Sequence, residues 1–237
     1  GEAAIGKPIS KAPGISIKLS ALHPRYELAK HERVMKELVP RLLMLAEQAK
    51  AAQISLTVDA EEADRLDISL DCIEAVFSSP TLAGWEGFGL AVQSYQKRAP
   101  FVIDWLADLS KRHQRKLMVR LIKGAYWDAE IKQSQVMGLE GFPVFTRKNS
   151  TDVSFLACAK KLLASPDCFY PMFGTHNAFS AAAIIELTRG KNMSFEFQCL
   201  HGMGQPLYDQ IVGADNYNIS CRIYAPVGSH KDLLGYL

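Results

Sequence analysis

The stretch L-M-V-R-L-I-K-G-A-Y-W, residues 117–127, decides the fold of this chain. Its first six residues are apolar and β-prone apart from Arg120, and they predict a buried strand. The strand ends at Lys123 and Gly124, and two aromatic residues then lead into a helix-like segment. Arginine holds an anion with its planar fork, glycine lets a ligand approach the backbone, and an aromatic side chain covers a flat ring. The stretch predicts either a site for a flat anionic ligand or a buried strand with one salt-bridged arginine.

Strand-like and helix-like segments alternate on both sides of this stretch. Such alternation over about 240 residues, with parallel-type crossovers, predicts an α/β fold of the (β/α)8 TIM-barrel type. A doubly wound open sheet is the alternative, but it usually carries a G-x-G-x-x-G motif, which this sequence lacks. The predicted strands are residues 15–19, 54–58, 88–92, 117–122, 142–145, 169–173, 194–199 and 221–225, and the predicted helices are 33–52, 62–77, 99–113, 130–138, 152–164, 178–187 and 206–212.

The composition describes one ordinary globular domain. The chain has 237 residues, of which 48% are hydrophobic and 22% charged, enough for one sizeable core. A net charge of +2 implies no general affinity for nucleic acid or an anionic membrane surface. Residues 1–13 show no clear period and are interpreted as a lead-in segment, while residues 14–237 form the barrel.

The cysteines and histidines exclude two classes of protein. The five cysteines are odd in number, widely spaced and without a C-x-x-C pair, which argues against a disulfide framework or a structural zinc site and favours a reducing compartment. The six histidines include no H-x-H or H-E-x-x-H pattern, so no metal site is expected.

Polar side chains, mostly cations and amides, follow the predicted strands. In a barrel these strand ends meet at one mouth, where barrel enzymes build their sites. Taken singly, Asp59 is more often a helix N-cap and His176 a structural histidine. The strand-end residues as a set include no nucleophile triad, and they suit the binding of an anionic phosphorylated cofactor. The T-H-N segment before a helix can bind a pyrophosphate. The strand-end residues are Lys18, Asp59, Gln93, Arg120, Lys123, Thr146, Lys148, Thr175, His176, Asn177, Gln198 and Tyr224.

Six motifs, in order, resemble the proline dehydrogenase domain of the bacterial bifunctional proline utilization A proteins. The match runs from about residue 14 to residue 237. The resemblance implies an FAD-bearing barrel that oxidises L-proline to Δ1-pyrroline-5-carboxylate and passes electrons to membrane quinone. It implies a cytoplasmic domain without nucleic-acid binding, in a parent protein that can be peripheral at the inner membrane. The motifs are I-K-L-S-A-L-H-P-R-Y-E, V-D-A-E-E-A-D-R-L, R-L-I-K-G-A-Y-W-D, T-H-N-A, F-E-F-Q-C-L-H-G-M-G and C-R-I-Y-A-P-V-G.

The resemblance also implies roles for individual residues. Arg120 and Asp59 would be catalytic, with Arg120 near the reactive flavin N5 and Asp59 beside the substrate. Lys18 would contact the proline carboxylate. The proline ring would be enclosed by Tyr126, Leu200, Tyr224 and Tyr236. The cofactor would be bound by Ala60, Gln93, Arg120, Lys123, Gly124, Ala125, Trp127, Lys148, Thr175, His176, Asn177 and Gln198.

The end of the chain departs from the family pattern. The family completes its site with a final helix carrying an Arg-Arg pair and with a nearby Glu, which this sequence does not contain after residue 228. Ser229 and Asp232 form a capping-box-like helix start followed by only five residues, so the last helix is expected to be incomplete. A complementing C-terminal helix segment, from a separate chain or the parent protein, is therefore expected as a partner. Two alternatives stay open: a binding-only barrel fragment, and an aldolase using Lys18 or Lys123 as a Schiff-base lysine.

Overall fold

The structure, a computed structural model, describes residues 6–228, which form one curled parallel sheet with helices against its outer face. Neighbouring strands follow chain order, and each pairs in parallel with the next. The predicted α/β architecture of the TIM-barrel type is therefore confirmed. The strands are β1 (Gly14–Ile17), β2 (Ser55–Val58), β3 (Phe88–Gln93), β4 (Leu117–Ile122), β5 (Phe169–Gly174), β6 (Glu196–Leu200) and β7 (Ser220–Tyr224).

The helices connect successive strands and cover the outside of the sheet. Helix α4 matches its predicted bounds, while α6 begins four residues before its predicted start. Short 3-10 turns lie at Ile9–Lys11, Leu28–Lys30, Ala63–Arg65 and Pro80–Leu82. The helices are α1 (Leu19–Leu22), α2 (His31–Ala51), α3 (Leu66–Phe77), α4 (Ala99–His113), α5 (Trp127–Val136), α6 (Lys148–Leu163), α7 (Ala178–Thr188) and α8 (Gln205–Tyr208).

The prediction of a fifth strand at residues 142–145 was wrong, and the described sheet has seven strands rather than eight. This segment makes only an isolated antiparallel bridge, between Val144 and Gln96. Pro143 has no N–H to donate to a ladder, and the backbone N–H of Phe145 bonds the carbonyl of Tyr95 in the loop after β3. The short apolar run here belongs to a buried loop. Periodicity alone does not distinguish such a loop from a buried strand.

The two faces of the sheet differ in chemistry. On β4, Val119 and Leu121 point outward and are fully buried in the apolar core against α4 and α6. Arg120 points the other way, into the barrel interior. Because side chains alternate along a strand, Gln198 on β6 and Arg222 on β7 share that interior face, and their Cα atoms are partners in the sheet register. The outer face thus stabilises the fold, and the inner face is free to build a site.

The last strand lies beside the segment that precedes the first one. The guanidinium of Arg222 donates to the carbonyl oxygens of Ala12 and Ser10, at 2.7 and 2.9 Å. In the part of the chain that the structure describes, no helix is long and apolar enough to cross a membrane. The expected helix start at Ser229 lies outside the described residues.

Candidate active site

An open cavity of about 700 Å³ lies at the carboxyl ends of the strands. This is the end of a barrel where enzymes of this architecture bind substrates. Four residues that the sequence did not single out, Ala91, Ile122, Gly174 and Cys199, also line it. The predicted site residues that line it are Lys18, Asp59, Ala60, Arg120, Lys123, Gly124, Ala125, Tyr126, Lys148, Thr175, His176, Asn177, Gln198, Leu200 and Tyr224.

Arg120 lies at the floor of the cavity and is held on three sides. Its Nη1 donates to Asp59 Oδ1 at 2.5 Å, its Nη2 to Ser16 Oγ at 2.6 Å, and its Nε to Gln198 Oε1 at 2.6 Å. The guanidinium carbon also lies 5.1 Å from the centre of the Tyr224 ring. Arg120 is only 8% exposed, so it presents a fixed positive charge in a partly dry environment.

Asp59 connects Arg120 to two other side chains that line the cavity, those of Lys18 and Tyr224. Its Oδ2 accepts the hydroxyl of Tyr224 at 2.9 Å and the ammonium of Lys18 at 3.3 Å. Burial alone would lower the pKa of Lys18, but attraction to Asp59, with help from Tyr126, raises it above the ordinary value. Burial, together with the Asp59 charge, raises the pKa of Tyr224 to about 12. At neutral pH, Lys18 is therefore a cation and Tyr224 a neutral donor.

The loop after β4 needs a glycine at position 124 for a reason that the sequence did not indicate. Gly124 has φ +149°, and a Cβ there would lie 2.4 Å from the ring of Tyr95. A glycine is therefore required at position 124 because it packs directly on Tyr95 and because its backbone has a positive φ. Close approach of a ligand is not the only reason for it. The neighbouring N–H of Ala125 donates to Gln93 Oε1 at 3.1 Å, and Gln93 Nε2 donates to the carbonyl of Glu61 at 2.8 Å. Gln93 thus ties this loop to the loop after β2.

Two lysines line a more solvent-exposed part of the cavity. Lys123 and Lys148 both bind Asp152, at 2.6 and 2.9 Å. These two hydrogen bonds, the one from Lys123 being the larger cause, lower the pKa of Asp152. The pair supplies positive charge over the loop after β4, where an anionic ligand would reach solvent.

The T-H-N segment lies where β5 leads into α7. The Asn177 side chain caps α7 by accepting the Ser180 N–H at 2.9 Å, and Thr175 Oγ1 accepts the N–H of Asn177 at 3.1 Å. His176 is exposed, and its Nε2 accepts the N–H of Leu200 at 3.0 Å. This geometry directs the N-terminus of α7 toward the cavity, a favourable position for a phosphate group.

Three predicted site residues, and the exposed strand-end residue Thr146, are not among the described residues that line the cavity. Gln93 is buried below the cavity, where it joins two loops. Trp127 begins α5 and donates its indole N–H to the Phe145 carbonyl at 2.9 Å, so it does not line the cavity. Tyr236 lies outside the described residues.

Sequence reasoning missed three interior residues, of which two contact predicted site residues and the third contacts one of those two. Ser16 binds Arg120, Glu196 binds Gln198, and Arg222 binds Glu196. Glu196 and Arg222 each lie two positions from a predicted residue on the same strand, and Ser16 lies two positions before Lys18, which directly follows β1. The period of two along a strand was therefore the signal that could have found them. Among the described residues there is also no cluster of His, Cys, Asp and Glu suited to a metal ion.

The cavity fits the cofactor that the motifs suggest. Its volume lies within the range of small-molecule sites, about 300–1,000 Å³. Four cationic side chains line it, together with a capped helix N-terminus, which is the donor set that a diphosphate needs. Aromatic and apolar side chains from Tyr126, Ile122 and Leu200 supply the surface that a flat ring system needs.

Comparison with known proteins identifies relatives of the whole chain. A family described as proline dehydrogenase matches residues 2–237. The bifunctional protein PutA of Klebsiella aerogenes is 60% identical over 243 residues, covering all of this chain but 18% of that protein. PutA of Rhizobium meliloti is 54% identical over 240 residues, covering 98% and 19%. The chain therefore spans about a fifth of the length of these relatives.

Solved structures agree with the fold. A crystal structure of a variant of proline utilization A from Bradyrhizobium japonicum superimposes with a TM-score of 0.95 at 57% identity, covering 99% of this chain and 24% of that one. Proline utilization A from Bdellovibrio bacteriovorus, inactivated by N-propargylglycine, gives a TM-score of 0.88 at 27% identity, covering 95% and 24%.

Proposed function

Because the chain belongs to the proline dehydrogenase family, we propose that its barrel mouth binds FAD and oxidises L-proline to Δ1-pyrroline-5-carboxylate. The observation that carries the proposal is the fixed placement of Arg120 between Asp59, Ser16 and Gln198 on the cavity floor. A buried, oriented cation is suited to stabilise negative charge that develops next to it during a reaction. Bound FAD would supply the hydride acceptor for this oxidation.

The remaining cavity residues suit the positioning of a small amino acid. Lys18 is held as a cation and offers a partner for a carboxylate. Tyr126, Leu200 and Tyr224 line the same cavity and present ring and aliphatic surface to it. Holding the substrate against the acceptor at about 3–3.5 Å is itself a large part of the catalytic effect. The chain's contribution is therefore orientation, charge and exclusion of water.

We assign the cofactor phosphates to the donors at the end of β5 and in the loops after β4. The N-terminus of α7 with Thr175 and His176, together with Lys123 and Lys148, supplies the donors there. Gln93 acts through the loops it joins, and Trp127 through its bond to Phe145. Quinone as the electron acceptor, a cytoplasmic location and a complementing C-terminal helix segment rest on the family resemblance, and we include them in the proposal on that basis.

The Schiff-base aldolase is less well supported. Such an enzyme needs a lysine that loses its proton near neutral pH. Asp59 raises the pKa of Lys18 instead, and Lys123 is paired with Asp152 at 2.6 Å. Both lysines are therefore arranged as cations that bind anions.

Turnover with a dye acceptor tests the proposal and separates an enzyme from a binding-only barrel. We expect the chain alone to reduce the dye poorly or not at all, and the chain supplied with the complementing C-terminal helix segment, covalently or as a separate peptide, to reduce it when L-proline is added. Lys18→Ala should raise the L-proline concentration needed for half-maximal rate, by about 30- to 5,000-fold for a fully buried charged contact and less here because Lys18 is partly exposed. Lys161→Ala, whose lysine pairs with Asp104 on the surface, is the matched control and should leave that concentration unchanged. A complemented protein that binds FAD but never reduces the dye would contradict the proposal.

A further inference from the structure

Gln198 lies between two charged groups of opposite sign. Its Oε1 accepts from Arg120 Nε at 2.6 Å, and its Nε2 donates to Glu196 Oε1 at 2.7 Å. An arginine can only donate hydrogen bonds, and an ionised carboxylate can only accept them. The amide of Gln198 therefore has one orientation that satisfies both neighbours, with its oxygen toward Arg120.

Glu196 is itself held firmly. It is only 2% exposed, and both of its oxygens accept from the Arg222 guanidinium, at 2.7 and 3.0 Å. Arg222 in turn donates to the carbonyls of Ser10 and Ala12. The carboxylate thus has a cationic partner and a fixed position beneath Gln198.

Stability alone does not account for this arrangement. A buried ion pair stabilises a fold weakly, because removing both charges from water offsets most of their attraction. The neighbouring interior residue Met172 shows that a largely apolar side chain fits at this level of the barrel. Its Sδ lies 3.1 Å from Gln198 Nε2, but a thioether sulfur is a weak acceptor beside an ionised carboxylate. What the carboxylate supplies, and an apolar side chain would not, is a fixed direction for the Gln198 dipole.

Resting on the proposed function of Arg120, we propose that Glu196 is a positioning residue for the reaction: it locks the Gln198 amide so that its oxygen holds the Arg120 guanidinium. Without the carboxylate, the amide could turn its NH2 group toward Arg120, where two donors would face each other. Arg120 would then lose the bond to Nε and could move relative to the reacting atoms. A displacement of about 1 Å can slow a reaction by about 100-fold.

Three variants test this route: Glu196→Met, Gln198→Leu, and the two combined. Glu196→Met removes the acceptor for the Gln198 amide, and it should slow flavin reduction by L-proline by up to about 100-fold in the otherwise unmodified chain. In the Gln198→Leu background it should cause no further slowing, because the amide through which Glu196 acts is gone. The free energy of unfolding should fall in both backgrounds, since Arg222 loses its partner either way. Equal slowing in both backgrounds would overturn the proposal and leave a purely structural role.

A second readout does not require the cofactor. The ¹⁵N–¹H signal of Arg120 Nε in flavin-free protein should exchange slowly with water in the unmodified chain and rapidly in Glu196→Met. Slow exchange that persists in Glu196→Met would contradict the proposal. If L-proline does not reduce the flavin of the unmodified chain supplied with the C-terminal helix segment, the proposed function fails, while this signal still decides whether Glu196 positions Arg120. If Glu196→Met yields too little folded protein, its combination with Arg222→Met removes the unpaired charge and carries the same comparison.

Discussion

Glu130 on α5 and Glu196 on β6 are both buried carboxyl groups, but their surroundings are opposite. Glu196 faces the Arg222 guanidinium and the Gln198 amide. Glu130, 6% exposed, accepts one backbone N–H, from Ala63 at 2.6 Å, and its charged neighbours are two other acids. Burial, with repulsion from those acids, raises the pKa of Glu130. Two carboxyl groups that are buried to a similar degree therefore differ in the partners that are available to them: a guanidinium and an amide for Glu196, and one backbone N–H for Glu130.

The largest expected effect comes from removing the cation beside Glu196. Arg222→Met should lower the free energy of unfolding by about 3–5 kcal/mol, because it leaves a buried carboxylate without its partner. Chemical denaturation measures this loss. Lys161→Met, which breaks the exposed pair with Asp104, is the control and should cost at most about 1 kcal/mol. Similar losses in the two variants would mean that the Glu196 carboxylate does not depend on Arg222.

The next largest effect concerns Arg120, which is linked to Glu196 through the amide of Gln198. Arg120→Met should slow flavin reduction by L-proline by about 10²–10³-fold, equivalent to roughly 2.7–4 kcal/mol, by analogy with loss of one oxyanion donor. Rapid mixing followed by flavin absorbance measures the rate. Arg112→Met removes an exposed arginine that binds Glu74 and Asp108, and it should leave the rate unchanged. A loss below tenfold in Arg120→Met would show that its charge is not used in the reaction.

The pH dependence of stability should show that folding raises the pKa of Glu130. A carboxyl group whose pKa is raised by folding holds its proton where the unfolded chain has lost it. Its contribution is therefore complete below the ordinary value of 4.5 and declines as the pH rises through the folded pKa.

Glu130→Gln removes this titration while keeping an oxygen for the Ala63 N–H. We expect the unfolding free energy of the variant to increase relative to that of the unmodified chain as the pH rises above about 4.5. Chemical denaturation at several pH values gives both curves. Glu186→Gln, at an exposed pair with Arg189, should run parallel to the parent. A Glu130→Gln curve that also ran parallel would mean that Glu130 titrates normally.

The smallest effect is expected at the edge of the Glu196 network. The Tyr170 hydroxyl lies 3.4 Å from Glu196 Oε2, long for a hydrogen bond. Tyr170→Phe should therefore cost no more than the low end of about 0.5–1.5 kcal/mol in unfolding free energy. Tyr217→Phe, at an exposed tyrosine, provides the baseline in the same denaturation experiment. A loss as large as that of Arg222→Met would show that Tyr170, rather than Arg222, holds the carboxylate.

Local pattern was enough to predict most of the framework. Strand β4 and helix α4 have the predicted bounds, because an apolar β-prone run and a clear helical stripe are strong local signals. Residues 142–145 were misread because four residues are too few to separate a strand from a buried loop. The end of the barrel that holds the cavity was predictable because strand ends converge there.

The contacts inside the site were less predictable, because they join residues far apart in the chain. The packing of Gly124 on Tyr95 and the bond between Glu196 and Arg222 depend on how the sheet curls. The residue types at 196 and 222 were visible, and strand periodicity places them on the interior face with Gln198 and Tyr224. The sequence does not show how close two strands lie when they are not neighbours in the sheet. Gln198 on β6 and Arg120 on β4 are an example: β5 lies between their strands, yet their side chains form a hydrogen bond.

The central claim is that this barrel mouth holds FAD and reduces it with L-proline, and an absorbance spectrum recorded without oxygen tests it most directly. Protein purified from a flavin-replete source, or reconstituted with FAD, should show flavin absorbance, and this absorbance should bleach when L-proline is added in the presence of the complementing C-terminal helix segment. A folded protein that cannot be loaded with FAD would contradict the claim. So would a bound flavin that, with the segment present, dithionite bleaches and L-proline does not.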